Sequence, residues 1–174
     1  MIRLKQPAIF AVIALIVSAV GFFVFSGYVG SQGMGQALPA APVNVQFEHD
    51  TLSIRKQNGE TLPFNVELAI TPPQQAQGLM FRTEMAENAG MMFIFNLASP
   101  LSFWMKNTLI PLDMLFIGED GTILHIHKNA VPNDLTSIPS KFPSKAVLEL
   151  NGSTTDKMGI KEGDVVRHRF FGNI

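Results

Sequence analysis

The chain has 174 residues, which is enough for one domain of ordinary size with a short appendage and too short for two. It contains no cysteine, which excludes disulfide bonds, thiolate metal sites and cysteine nucleophiles. The formal net charge is −1 and basic residues do not cluster, so the composition argues against nucleic acid as a partner.

The first predicted element is a transmembrane helix at the N-terminus. Arg3 and Lys5 precede an uncharged, apolar run at residues 8–29. As a helix this run spans about 33 Å, slightly more than the roughly 30 Å of a bilayer's hydrocarbon core. No further Lys or Arg occurs before Arg55, so the positive-inside rule places the N-terminus in the cytoplasm. We expect a single-pass inner-membrane protein whose C-terminal domain lies on the periplasmic or extracytoplasmic side.

A cleaved signal peptide is the alternative for the same segment. Signal peptides have a shorter apolar core, about 7 to 15 residues, and end at a small-residue cleavage site. The candidate site here, at residues 37–41, is interrupted by a proline; cleavage there would release the protein into the periplasm. Residues 30–42 are uncharged and rich in Gly, Ala, Gln and Pro, which is typical of a flexible linker. The chain thus divides into an anchor or signal at 1–29, a linker at 30–42 and a domain at 43–174.

Short apolar runs separated by Gly, Pro, Asn and Asp predict that this domain is mainly β. Their close spacing favours a compact antiparallel β-sandwich or barrel-like fold over βαβ units. The dipeptides Asn58-Gly59 and Asp120-Gly121 each lie between two apolar runs and predict hairpin turns. The predicted strands cover residues 44–48, 52–57, 62–70, 90–95, 101–105, 112–117, 123–129, 146–150 and 164–171.

Two short helices are predicted between the strands. The first should begin at Pro72, after the capping residue Thr71 and with Gln74 in the position of a capping box, and should end near Met80. The second should cover residues 153–158 and end at Gly159 in a left-handed conformation. Both helices are too short to be stable without packing against the sheet.

Four blocks of sequence carry a resemblance to a known family. They are Gly78-Leu79-Met80-Phe81-Arg82, residues 90–95, residues 103–117, and Leu148-Glu149-Leu150-Asn151-Gly152 followed by residues 159–164. In these blocks the chain resembles the domain of unknown function 192 family, over roughly residues 62–171. The resemblance implies a compact β-sandwich or barrel-like fold, commonly exported in bacteria, and it implies no activity because the family is uncharacterised.

The family also suggests one difference in this chain. Its members often carry an arginine just before Gly-Leu-Met, where this sequence has Gln74, Gln75 and Gln77. Arg82 is therefore the cation that this stretch still offers to a site.

Asp113 and Glu149 are the candidate catalytic residues. A strand at residues 112–117 puts Asp113 on the same face as Leu115 and Ile117, and a carboxylate in such surroundings needs partners. Asp113 is therefore either the centre of a site or a structural acceptor for backbone N–H groups and a basic side chain. Glu149 faces the same way as Val147, and two carboxylates about 5 to 10 Å apart across a cleft could hydrolyse a glycoside.

The segment after residue 103 predicts a ligand platform. Strand alternation would place Trp104, Lys106 and Thr108 on one face. An aromatic ring beside hydrogen-bond donors is a common way to hold a sugar or another flat ligand; the alternative is that Trp104 fills the core. The predicted ligand-binding residues are Arg82, Trp104, Lys106, Asn107, Asp113 and Glu149.

Metal binding is not predicted. His125 and His127 share a face of one predicted strand, but no pattern supplies a third ligand. The methionines at positions 80, 85, 91, 92, 105 and 114 could bind copper(I), yet their scatter through apolar segments favours a role as core filler. We therefore expect no metal and no cofactor.

Three functional hypotheses follow from the sequence. The first is a non-enzymatic, membrane-tethered binding domain for a small polar or saccharide-like ligand. The second is an envelope glycan hydrolase that uses Asp113 and Glu149. The third is a structural partner of another envelope protein, which would present an exposed apolar patch rather than a cleft.

Overall fold

The computed structural model describes residues 45–174. The predicted anchor at 1–29 and the predicted linker at 30–42 lie outside the described residues. From residue 45 onward, no helix has the length and apolar character needed to cross a bilayer.

The described chain is mainly β, as predicted. Its strands are β1 (Glu48–Arg55), β2 (Thr61–Ala69), β3 (Ala89–Ser99), β4 (Ser102–Phe103), β5 (Leu112–Ile117), β6 (Ile123–Ala130), β7 (Ile138–Pro139), β8 (Ser144–Asn151) and β9 (Val165–Arg167). The helices are α1 (Pro72–Gln77), α2 (Thr154–Met158) and a final 3-10 turn (Arg169–Phe171).

Seven strands form one curled sheet in the order β6-β5-β8-β3-β2-β1-β9, and β4 pairs separately with β7. The two edges of the sheet meet at a single bridge between Thr122 and Val165. The expectation of a purely antiparallel fold is wrong at one place, because β2 and β3 are parallel. A parallel pair requires a long crossover, and α1 with the loop that follows it provides this connection.

Most of the predicted elements are present. Both hairpins form at the predicted dipeptides, with Gly59 and Gly121 at φ +90°, and α2 ends at Gly159 in the left-handed region. Helix α1 begins at Pro72 but ends three residues earlier than predicted, at Gln77. The Gln74 side chain accepts hydrogen bonds from the N–H groups of Ile70 and Thr71.

Three strand predictions need correction. Residues 45–47 are irregular and β1 starts at Glu48, so the predicted strand at 44–48 does not exist as a separate element. The predicted strand at 101–105 shrinks to β4, after which the chain turns. The strand predicted for 164–171 is limited to β9, and β7 was not predicted because two residues carry too little periodicity.

The central strands are buried on both faces, and all six residues of β5 are buried. One face of these strands contributes to an inner core that the curled sheet encloses. This inner core contains Phe64, Met92, Leu115, Leu148 and Val166. The other face contributes to an outer core, which contains Leu79, Met91, Phe93, Met105, Met114 and Phe116. The outer core is covered by loop segments and by the small β4-β7 pair, which contribute Phe103 and Ile138, and the candidate site lies on this side.

Candidate functional site

Glu149 is a buried carboxyl group on the outer-core face of β8. It pairs in register with Met91 of β3 on one side and Met114 of β5 on the other. Only 4% of the residue is exposed, and within residues 45–174 its carboxyl group forms no hydrogen bond or ion pair. Desolvation by burial raises the pKa of Glu149 to about 8. The group is therefore predominantly protonated and neutral at pH 7.

A pocket of about 280 Å³ opens above this carboxyl group, and we call it the Glu149 pocket. No fully buried side-chain oxygen of the described residues lacks a hydrogen-bond partner, so the oxygens of Glu149 reach the open space of the pocket. Its apolar walls come from Leu79, Met80, Phe93, Phe95, Leu101 and Phe103. Its polar lining comes from Gln75, Gln77, Ser102, Lys106, Thr108 and Glu149.

Several of the other polar groups that line the pocket already have partners in the protein. The amide of Gln75 donates to the carbonyl of Ile94 at 2.7 Å. The hydroxyls of Ser102 and Ser137 lie 2.7 Å apart, and Thr108 donates to a backbone carbonyl. Glu149 differs from them because its hydrogen-bonding capacity faces only the pocket.

The aromatic walls are held by edge-to-face packing. The ring of Phe103 lies 5.1 Å from Phe93, 6.4 Å from Phe95 and 6.0 Å from Phe116, with interplanar angles of 87°, 88° and 82°. Such pairs are favoured by about 0.5 to 1.5 kcal/mol beyond the burial of their area. The aromatic wall of the pocket is therefore stabilised by contacts within the protein.

Trp104 and Lys106 stand at the mouth of the pocket. Trp104 is 53% exposed, and the Lys106 ammonium lies 5.4 Å from the centre of its ring, within the range of a cation–π interaction. The alternative that Trp104 fills the core is wrong, since the neighbouring Met105 is buried instead. The predicted alternation does not arise from a strand, because residues 106–107 form a turn, but Trp104, Lys106 and Thr108 do line one pocket.

Asp113 does not line the Glu149 pocket. Its carboxylate accepts hydrogen bonds from the N–H groups of Asn129, Ser153 and Thr155 at 2.8 to 3.1 Å and from the Thr155 hydroxyl at 2.7 Å. These bonds fasten β5 to the end of β6 and to the start of α2. They match the structural role considered from the sequence, with a hydroxyl in place of the basic side chain.

The side chains of Asp113 and Glu149 point to opposite faces of the sheet. Met114 is the register partner of Glu149 on β5, and adjacent residues of a strand point to opposite sides. The two carboxyl groups consequently do not flank one cleft. An acid and base pair made from them has no support in this geometry.

Arg82 and Asn107 do not line the Glu149 pocket either. Arg82 forms a bidentate ion pair with Glu67, at 2.5 and 2.6 Å, and the hydrogen bonds that it donates to Glu67 raise the pKa of Arg82. This pair lies in a separate, open groove of about 870 Å³. Asn107 adopts φ +53° in the turn, where its carbonyl accepts a hydrogen bond from the Phe81 N–H. We place the site at the smaller pocket, because the charges of Arg82 and Glu67 satisfy each other.

Comparison with known proteins now identifies the family. The family model DUF192, described as "Uncharacterized ACR", matches residues 53–168. The chain belongs to this family. The resemblance inferred from the four sequence blocks is thereby confirmed, and no curated protein matches the chain.

Two solved structures are similar to this DUF192 domain. One, from Sinorhizobium meliloti 1021, is provisionally described as a transcription regulator; it is 44% identical, with a TM-score of 0.71 over 72% of this chain and 98% of that one. The other, from Novosphingobium aromaticivorans DSM 12444, is a protein of unknown function; it is 43% identical, with a TM-score of 0.67 over 76% of this chain and 94% of that one.

The two histidines that share a face of β6 have different surroundings. His125 stacks on Phe116 with ring centres 5.9 Å apart, and its Nδ1 lies 2.8 Å from Glu162. Burial lowers the pKa of His127. No group of three His, Asp or Glu side chains with the geometry of a metal site occurs in the described part of the chain.

Reasoning from the sequence missed the aromatic walls of the pocket. Phe93, Phe95 and Phe103 lie in runs that predict strands, and their alternation gives the face they share but not what covers it. Leu79 and Gln75 come from the crossover between β2 and β3, whose path is set by the parallel pairing. Glu149 was predicted to be a site residue, but its lack of hydrogen-bond donors was not predicted.

Proposed function

We propose that this DUF192 domain is a non-enzymatic binding domain that holds a small, ring-shaped polar ligand of saccharide-like character in the Glu149 pocket. The observation that carries the proposal is the buried carboxyl group of Glu149, which opens into the pocket with no partner from residues 45–174. Leaving a buried polar group unpaired costs roughly 1 to 3 kcal/mol. A ligand that hydrogen-bonds to Glu149 recovers this cost on binding.

The pocket's size and walls support a ligand of one ring. Its volume of about 280 Å³ is slightly below the roughly 300 to 1,000 Å³ of pockets for drug-sized ligands. The half-exposed face of Trp104 offers a stacking surface at the mouth, and Phe95 and Phe103 continue the apolar wall inward. A flat ring with polar edges fits this combination of surfaces.

The hydrolase alternative is not part of this proposal, because Asp113 and Glu149 lie on opposite faces of the sheet. The proposed location of the pocket is outside the cytoplasmic membrane. This part of the proposal is supported by the positive charges before the apolar run at residues 8–29.

Intrinsic fluorescence tests the proposal directly. Trp104 is the only tryptophan in the chain and lies at the mouth of the pocket, so ligand binding should change its emission without any added label. We expect a saturable change when the full-length protein is titrated with monosaccharides and their derivatives. The change should be lost in Glu149→Leu, which fills the floor of the pocket without a polar group, and kept in the exposed control Glu87→Gln.

A retained response in Glu149→Leu would contradict the assignment of the site. A complete absence of response to the whole panel would contradict the binding function. That result would favour the hypothesis of a structural partner for another envelope protein.

A further inference from the structure

The charges of the Glu149 pocket narrow the class of ligand, and this step rests on the binding function proposed above. Among the residues that line the pocket, Lys106 and Glu149 are the two with ionisable side chains. Within residues 45–174, no carboxylate lies within ion-pair distance of the Lys106 ammonium; its partner is the ring of Trp104. The pocket therefore presents a positive charge at its mouth and a neutral carboxyl group at its floor.

Three kinds of ligand can be compared against this arrangement. An ammonium ligand would be repelled by Lys106 and would have to ionise Glu149 in apolar surroundings. A neutral ligand would leave the charge of Lys106 without a counter-charge. A carboxylate can accept a charge-assisted hydrogen bond from the O–H of Glu149 and face the Lys106 ammonium, so it uses both groups.

Other titratable groups do not alter this balance. His125 and His127 extend from the same face of the sheet as Glu149, but they lie on β6, two strands away from β8. Neither histidine lines the pocket. The neighbours of Glu149 across β3 and β5 are Met91 and Met114, which carry no charge.

We infer that the ligand is a single-ring compound with one carboxylate, bound between the Glu149 carboxyl group and the Lys106 ammonium. A sugar acid and an aromatic acid share this chemistry. The stacking face of Trp104 suits either ring, and the test below separates them.

Calorimetric titration of the full-length protein with matched rings tests the inference. The probes are glucuronate and benzoate as carboxylates, glucose as the neutral ring and glucosamine as the cationic ring. We expect one of the two carboxylates to bind at least about tenfold more tightly than glucose and glucosamine, a difference of about 1.4 kcal/mol. Binding of glucuronate alone identifies a sugar acid, and binding of benzoate alone identifies an aromatic acid.

Two variants and a pH series separate the two contacts. Lys106→Gln should weaken carboxylate binding about three- to fivefold, as expected for a partly exposed ion pair. Affinity for the wild type should fall about tenfold between pH 6 and pH 9, as Glu149 loses its proton. Glu149→Gln keeps a donor that does not titrate, so this variant should bind the carboxylate with little dependence on pH.

Each remaining outcome has a defined meaning. If glucose binds as tightly as the carboxylates, or if glucosamine binds more tightly, the inferred ligand class is wrong while the pocket retains its binding function. If no probe of any charge binds and Trp104 fluorescence stays unchanged, the proposed function fails as well.

Discussion

Two buried carboxyl groups on neighbouring strands differ in the hydrogen-bond donors that surround them. Asp113 on β5 is fully buried, and its oxygens receive four hydrogen bonds. Glu149 on β8 is nearly as buried but receives none from the described residues, and desolvation alone raises its pKa to about 8. The first carboxyl group stabilises the fold, and the second is available to a ligand.

The structural role of Asp113 predicts the effect of its substitution. Oδ1 of Asp113 accepts from the N–H groups of Asn129 and Ser153, and Oδ2 accepts from the N–H and hydroxyl of Thr155. In Asp113→Asn, an amide N–H₂ replaces one of these oxygens and cannot accept its two hydrogen bonds. We expect the free energy of unfolding to fall by about 3 kcal/mol, because buried donors lose their acceptor. Urea denaturation of the full-length protein measures this loss.

The matched control is Asp156→Asn, which removes an exposed carboxylate that pairs with Lys128. Its effect should stay below about 1 kcal/mol. Equal losses in the two variants would show that the four bonds of Asp113 do not hold β5, β6 and α2 together.

At the level of elements, β3 and β8 approach each other closely at Gly90. Gly90 of β3 faces Leu150 in the register of this pair. A Cβ atom at Gly90 would lie 2.7 Å from the carbonyl oxygen of Glu149 and 2.8 Å from Cδ2 of Leu150. The strands can therefore reach this spacing only because residue 90 has no side chain.

The substitution Gly90→Ala should consequently destabilise the sheet. We expect a loss of about 1 to 3 kcal/mol in the free energy of unfolding, since β3 or β8 must move to admit the methyl group. Thermal unfolding compares this variant with Gly118→Ala, where the new Cβ would meet its nearest neighbour, Leu124, at an ordinary 3.4 Å. A Gly90→Ala protein as stable as the Gly118→Ala control would contradict the close approach.

For the whole molecule, Glu149 should govern how stability changes with pH near neutrality. Its pKa in the folded protein, about 8, is raised above the ordinary value of 4.5. A carboxyl group raised in this way binds its proton more tightly when folded. Its contribution to stability is therefore fully present below pH 4.5 and is lost as the pH rises through 8.

Comparison of the wild type with Glu149→Gln isolates this effect. The stability of the wild type should fall relative to the variant by about 1.4 kcal/mol per pH unit between pH 4.5 and 8. Burial lowers the pKa of His127, which adds a slope of opposite sign, but this slope is common to both proteins and cancels in the difference. A difference that does not change with pH, measured by urea denaturation, would show that Glu149 is ionised or solvated in the fold.

At acid pH, other carboxyl groups make the stability depend on pH in the opposite direction. A hydrogen bond from the Thr51 backbone lowers the pKa of Asp50, and a hydrogen bond with His125 lowers that of Glu162. The stability that these groups contribute is present above their ordinary pKa values and is lost in acid. Both proteins should therefore lose stability together below about pH 4.

The site shows where prediction from the sequence stops. Glu149, Trp104 and Lys106 were identified as candidates from local pattern, and the structure brings them to one pocket. Arg82, Asn107 and Asp113 were grouped with them because they lie in the same motif blocks. The ion pair of Arg82 with Glu67 and the four bonds of Asp113 join residues distant in sequence, so no local pattern could separate these side chains from the pocket.

The sequence alone determined the local elements of this protein. Turn dipeptides specified the hairpins, a proline and a glycine marked the ends of the helices, and alternation assigned the two faces of β5. These features depend on interactions between residues close in the chain. Only the tertiary structure decided that β2 and β3 are parallel, that β4 and β7 pair apart from the main sheet, and that Glu149 has no donor. Pairing and desolvation depend on which distant segments come to cover each face, and this is settled when the whole chain packs.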